Sequence, residues 1–248
     1  MANNLRRIWD ADPDAAPKER SSFADDVVGR FRSGRLVKMG NKDVPESLNE
    51  WRVTTGDPVV AAKIAELMGG ISEEWETDKE DNLQILTTSP SVAIIIEPDG
   101  VDASFKMFMP GAGLTHHCDG FEYLSPEEDA GTACGCPSLI AERKLKAQQM
   151  RGPKPSVDVK FRLQEDPELG IFRFNSGSWK LVEVLGGLFA DLDKYPGKQV
   201  RATLTIENVT YTPQKGPRAG QEVSYNKPVI KVLGAYEAAV DVDLPMAA

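Results

Sequence analysis

All three cysteines and both histidines of the chain fall within "LTHHCDGFEYLSPEEDAGTACGCP", residues 114–137. Soft donors crowded in this way can hold a metal ion or supply reactive thiols. Zinc is borderline-soft and is held tetrahedrally by thiolates and imidazoles in structural sites. His116 and Cys118 stand two apart, as do Cys134 and Cys136. In an extended chain residues i and i+2 share a face, so each pair can present two donors to one ion. On that ground His116 is preferred to His117, although a turn at Cys118 would reverse the choice. The expected site is a structural Zn2+ held by Cys118, Cys134, Cys136 and one of the two histidines. Each pair is one residue tighter than the common finger spacing.

Other chemistries fit less well. A Cys134–Cys136 disulfide would be strained and out of place in a reducing compartment. A thiol–histidine catalytic pair leaves two cysteines without a role. The zinc deaminases put a glutamate two residues after their histidine and space their cysteines by two residues, and neither feature is present. "GAGLTH" (111–116) lacks the third glycine of a dinucleotide loop, and "GRFRSGR" (29–35) has arginine where a phosphate loop has lysine. With the histidines at a metal, no Ser/His/Asp set remains. The expectation is a protein that is not an enzyme.

These donors need a scaffold. The 248 residues are enough for a substantial core, and 41% apolar with 27% charged residues is ordinary globular composition. Residues 1–56 read as an irregular N-terminal arm, with one short helix near "FADDVVGRF". A core spans 57–234, the metal-binding insertion occupies 111–152 within it, and 235–248 is a tail. Helices are expected over 57–70, where Asp57 can cap and Pro58 opens the first turn, over 138–150, and over 178–194. The last carries an apolar stripe of Leu181, Val182, Leu185, Leu188, Phe189 and Leu192. Strand signals lie in "LQILTTSPSVAIIIEPDG", "DASFKMFM", "SVDVKFRLQED", "GIFRFNSG", "QVRATLTIENVTY" and "EVSYNKPVIKVLG". Strands and helices come in blocks, which predicts an α+β fold: a mostly antiparallel sheet, a few packing helices and a small zinc-binding insertion.

Charge restricts the partners. The net charge is −9, with 13 Lys/Arg against 25 Asp/Glu in residues 1–130 and 16 against 13 in the remainder. An acidic chain repels the phosphate backbone, so weak or no direct sequence-specific DNA binding is expected. The exception is 143–162, "RKLKAQQMRGPKPSVDVKFR", with seven basic residues and one acid. It supports an alternative reading as a zinc-bearing nucleic-acid-binding module. No run approaches the roughly 20 apolar residues that cross a bilayer. No export signal is visible, and a reducing cytosol is expected.

Five stretches occur in a telling order: "LNEWRVTTGD" (48–57), "VAAKIAELMGG" (60–70) leading to Trp75, "CDG" (118–120), "CGCP" (134–137) and "IFRFNSGSWK" (171–180). Together they resemble the recombination directionality factors of Streptomyces temperate phages and related actinobacterial phage proteins described as metal-binding. The resemblance runs from about residue 5 to 234. It implies a partner, a large serine integrase bound to DNA in the host cytoplasm. It also implies a function: promoting prophage excision, by recombination between the prophage-end sites, and inhibiting integration. The integrase's own serine does the chemistry. Relatives carry a fourth cysteine before a Lys-Pro pair, where this chain has Pro153. Cys118, Cys134 and Cys136 carry over, and a histidine would complete the shell.

Overall fold

The computed structural model describes residues 25–40, 42–215 and 219–237. Among these, eleven strands form a single sheet accompanied by three α-helices. The strands are β1 (Gly29–Met39), β2 (Lys42–Thr55), β3 (Ser72–Glu74), β4 (Leu83–Leu86), β5 (Ser91–Met109) and β6 (Gly113–Cys118). They continue as β7 (Tyr123–Ser125), β8 (Lys154–Leu163), β9 (Phe172–Ser176), β10 (Val200–Tyr211) and β11 (Val223–Ala235). The helices are α1 (Pro58–Met68), α2 (Ile140–Gln148) and α3 (Trp179–Leu192). The sheet order is β11-β10-β5-β8-β9-β1-β2-β4-β3, with β6 and β7 branching from β5. Among the described strands only β1 and β9 pair in parallel. The fold is therefore α+β with a mostly antiparallel sheet.

Alternation along the strands sorts side chains to two faces. Phe31, Trp51, Val53, Ile94, Ile96, Val159, Phe161, Phe172 and Phe174 point to one face and are fully buried. Helix α1 covers them with Val60, Ala61, Ile64 and Met68, and α3 with Leu181, Leu185 and Leu188. Phe31 sits at the centre, its ring 5.7 Å from Trp51, 5.3 Å from Phe161 and 5.7 Å from Phe172, all edge-on. The Trp51 indole N–H donates to Pro90 O at 2.9 Å, so the one polar atom of that side chain is satisfied. Asp57 caps α1 by accepting from Val59 N at 2.7 Å. Ser178 holds the N-cap position of α3 but makes no side-chain cap bond.

The opposite face is built from ions. Arg32 meets Asp81 at 3.0 Å, and Thr54 donates to the same carboxylate at 2.6 Å. Arg173 bridges Asp158 and Asp25 at 2.6 and 3.1 Å. This face explains a correction. Residues 29–55, expected within an irregular arm, form the long antiparallel pair β1–β2 near the middle of the sheet. In β1 only Phe31 serves the core, and its neighbours Arg30 and Arg32 serve the ionic face. Such a strand reads as polar and aperiodic. The helix expected at "FADDVVGRF" is absent from its described part, where Gly29–Phe31 open β1. Residues 1–24 and 238–248, the rest of the expected arm and tail, lie outside the described residues.

The two strands expected on either side of "EPDG" are one strand, β5, with an irregularity between Ile96 and Val101. One edge of β5 belongs to β8. The other is divided: β10 pairs with Ser91–Ile96, and β6 pairs with Phe105–Met109. The outer half of β5 thus carries the insertion beyond the end of β10.

Candidate metal centre

The first pair of donors comes from β6, whose register sets Phe105 opposite Cys118 and Met107 opposite His116. His116 and Cys118 share a face, and the ring nitrogen His116 Nε2 lies 3.1 Å from Cys118 Sγ. His117 faces the other way, its Nδ1 2.9 Å from Ser125 Oγ on β7. After Cys118 the chain reverses sharply. Asp119 Oδ1 accepts from the N–H groups of Phe121 (2.7 Å) and Glu122 (2.8 Å), and these bonds hold its carboxyl below the usual range. Gly120 takes φ 109°, where a side chain would be strained. Cys134 N donates to Phe121 O at 2.8 Å, which brings the second pair back across the first. Gly135, at φ 67°, turns the chain so that Cys134 and Cys136 converge.

The four donors of His116, Cys118, Cys134 and Cys136 lie within 4.8 Å of one another. Cys136 Sγ is 3.9 Å from Cys118 Sγ and 3.4 Å from His116 Nε2. A tetrahedral shell with metal–sulfur bonds near 2.3 Å has edges of about 3.6–3.8 Å. The set therefore fits one metal ion. Its electrostatics agree. Burial, followed by the charge of Cys136, pushes the Cys118 thiol up to about 12, and burial with the Cys134 contact raises Cys136. Burial also lowers both histidines, with His117 adding to the effect on His116 and Lys106 to that on His117. Burial thus disfavours the thiolates of Cys118 and Cys136, and a bound dication removes that resistance. None of the three is in a disulfide.

Arg143, inside the expected basic stretch, has a supporting place here that the sequence reading missed. It is buried on α2 and donates to Gly120 O at 2.6 Å. Its guanidinium lies 5.1 Å from the Phe105 ring and 5.9 Å from Phe121. The basic stretch is not one surface. Arg162 donates to Glu97 at 3.0 Å, and Asp158 is buried against Arg173. Lys146, Arg151 and Lys154 are exposed. Pro153 lines the same cleft as His116, Cys134 and Cys136. His117, not being drawn into the donor set, leaves a serine–histidine contact with Ser125. Its other nitrogen is buried without a partner, so no carboxylate orients the ring. Among the described residues no helix is long and apolar enough to cross a membrane.

A family model described as Gp3-like, recombination directionality factor-like, matches residues 28–233. No solved structure matches the chain. The match covers most of the sequence, including every strand except the last two residues of β11, and the chain belongs to this recombination directionality factor-like family.

Proposed function

We propose that this member of the recombination directionality factor-like family acts on a phage-encoded large serine integrase. It binds the DNA-bound integrase in the host cytoplasm, promotes recombination between the prophage-end sites, and inhibits integration. The observation that carries this reading is the family match over residues 28–233. It joins a chain of net charge −9, ill suited to gripping DNA by itself.

The factor does no chemistry in this reading. It biases an equilibrium between arrangements of the integrase by binding one better than the other. Moving a two-state balance from 1:99 to 99:1 takes roughly 5.5 kcal/mol of differential binding. The metal is zinc, held by His116, Cys118, Cys134 and Cys136. The donor set of one imidazole and three thiols supports that identity. Bound zinc supplies cross-linking of the insertion, not a reacting centre. The alternative module acting through 143–162 is weakened because Arg143 and Arg162 are committed to Gly120 and Glu97.

The test is recombination in vitro with both site pairs and a panel of closely matched phage integrases. The expected result is excision stimulated and integration inhibited, both saturating with factor concentration. Unchanged direction with every integrase ends this reading. Tight site-specific DNA binding by the isolated protein favours the alternative.

A further inference from the structure

Beside the metal centre lies a cleft of about 150 Å³, lined by donor residues and by three cations, Arg143, Lys146 and Arg151. No acidic residue lines it. Among the described residues none of the three cations is in an ion pair. In a chain of net charge −9, this recess has one sign, and it is positive. The metal does not account for it. Three thiolates, a neutral imidazole and a dication together carry about one negative charge, which Arg143 alone offsets. Arg143 is itself incompletely satisfied: Nη2 donates to Gly120 O, but Nη1 is buried with no hydrogen-bond partner. Lys146 and Arg151 are exposed and surplus to the metal.

The end of α2 sets these cations together. Met150 N donates to Ala147 O at 3.1 Å and Arg151 N to Lys146 O at 2.9 Å, so the chain turns back over the last turn of the helix. Met150 takes φ 56° there, a conformation that helix ends usually give to glycine. Gly152 then packs close: a Cβ on it would stand 3.0 Å from Lys146 Cβ. Arg151 is thereby returned beside Lys146. The rest of the lining includes Phe105 and Met107 of β5 and Pro137, so the cleft is apolar in its walls as well as cationic. Apolar walls keep water from screening the charges fully.

We propose that this cleft receives an acidic side chain of the partner protein, the integrase, as one anchor of their contact. The name of the partner rests on the directionality reading above, whereas the chemistry of the cleft does not. At about 150 Å³ the cleft is well below the roughly 300–1,000 Å³ that holds a drug-sized ligand, and it suits the tip of one side chain. A glutamate or aspartate brings a methylene stem for Phe105 and Met107. Its two oxygens match the paired donors of the Arg151 guanidinium and the ammonium of Lys146. A DNA phosphate has no such stem, sits on a rod too broad for the recess, and is repelled by the chain as a whole.

The experiment uses the full-length, metal-loaded protein in two arms. Lys146→Glu combined with Arg151→Glu is compared with Lys38→Glu combined with Lys231→Glu, an equal change of charge at exposed positions outside the insertion. Metal content and melting are measured for both. In the first arm oligoglutamate, oligoglutamine and inorganic phosphate are titrated into isotope-labelled protein and followed by amide chemical shifts. Oligoglutamate should move the amides of 143–152 saturably, oligoglutamine should not, and the effect should vanish in the Lys146/Arg151 variant alone. No saturable shift, or phosphate acting at lower concentration than oligoglutamate, overturns the carboxylate site. In the second arm the Lys146/Arg151 variant should bind DNA-bound integrase at least about 10-fold more weakly, with slower and less salt-sensitive association and unchanged metal content. The control pair should stay within about twofold of wild type. Equal losses in the two variants would reduce the effect to overall charge and overturn the anchor. Wild-type affinity in the Lys146/Arg151 variant, while the wild type still reverses direction, also overturns the anchor and leaves the directionality reading standing. Should the wild type affect no integrase, that reading falls, and the first arm still decides the cleft.

Discussion

From Phe31 to Phe174 the sheet is held by buried rings in edge-on contact, roofed by α1 and α3. Between Cys118 and Cys136 the insertion has almost no buried side chains except its donors, and most of its apolar residues face outward. The first region owes its stability to area removed from water; the second buries little and instead converges on four donor atoms that could hold a metal ion. This frees the insertion's apolar surface from any duty in folding. A stretch that needs no hydrophobic core can display hydrophobic residues to a partner. The sheet cannot do so without weakening itself.

Metal removal separates the two regions most sharply. Structural zinc contributes on the order of 10 kcal/mol of apparent folding free energy in finger peptides. Chelation or Cys134→Ser should expose the amides of 113–136 to hydrogen exchange while those of β8 and β9 stay protected. Equal loss in both regions would show that the sheet also depends on the ion. His116→Ala should give the chelation result, whereas His117→Ala, which removes only the contact to Ser125, should keep its metal.

Trp51→Ala tests the other side. Emptying a fully buried indole site costs about 3–5 kcal/mol. The melting temperature should fall by roughly 10 °C, and insertion and sheet should unfold together because the insertion is anchored on β5. Metal affinity measured below the transition should be unchanged.

Arg143→Ala acts at the junction. Loss of the bond to Gly120 O should lower metal affinity about 10–100-fold, as losses of supporting contacts around metal ligands do, with little effect on the melting of the sheet.

The smallest effect concerns acid. Burial raises the Asp25 carboxyl, but hydrogen bonds and charge from Arg30 and Arg173 outweigh it and hold the value below the usual one. A depressed folded-state value means that the stability is present above the ordinary carboxylate value, about 3.9, and is lost as pH falls through the folded one. Asp25→Asn should therefore lower stability by roughly 1 kcal/mol at neutral pH and by nothing in strong acid. Melting temperature against pH checks it. An acid limb unchanged from wild type would mean that this ion pair does not hold the ionic face.

Much was legible beforehand where one local rule governs. Asp57-Pro58 before a periodic run marks the start of α1, and β-branched runs mark β8 and β10. The i, i+2 rule places His116 with Cys118 because β6 is in fact extended at that point. The β1–β2 pair was not legible. Its arginines look like surface, and only their partners, Asp25 just ahead of β1, Asp81 between β3 and β4, and Gln84 on β4, make them part of a folded face.

By itself the sequence determined the donor types, their two-residue spacing and the acidic balance, since these are properties of composition and of neighbouring residues. Only the tertiary structure decided that Cys118 meets Cys136, that Arg143 is buried against Gly120, and that the His116 and Cys118 pair is carried on the outer half of β5. Each of these depends on which strand edge is left open to β6. That edge is open because β10 ends its pairing at Ile96, and the competition among strands for β5 involves the whole sheet.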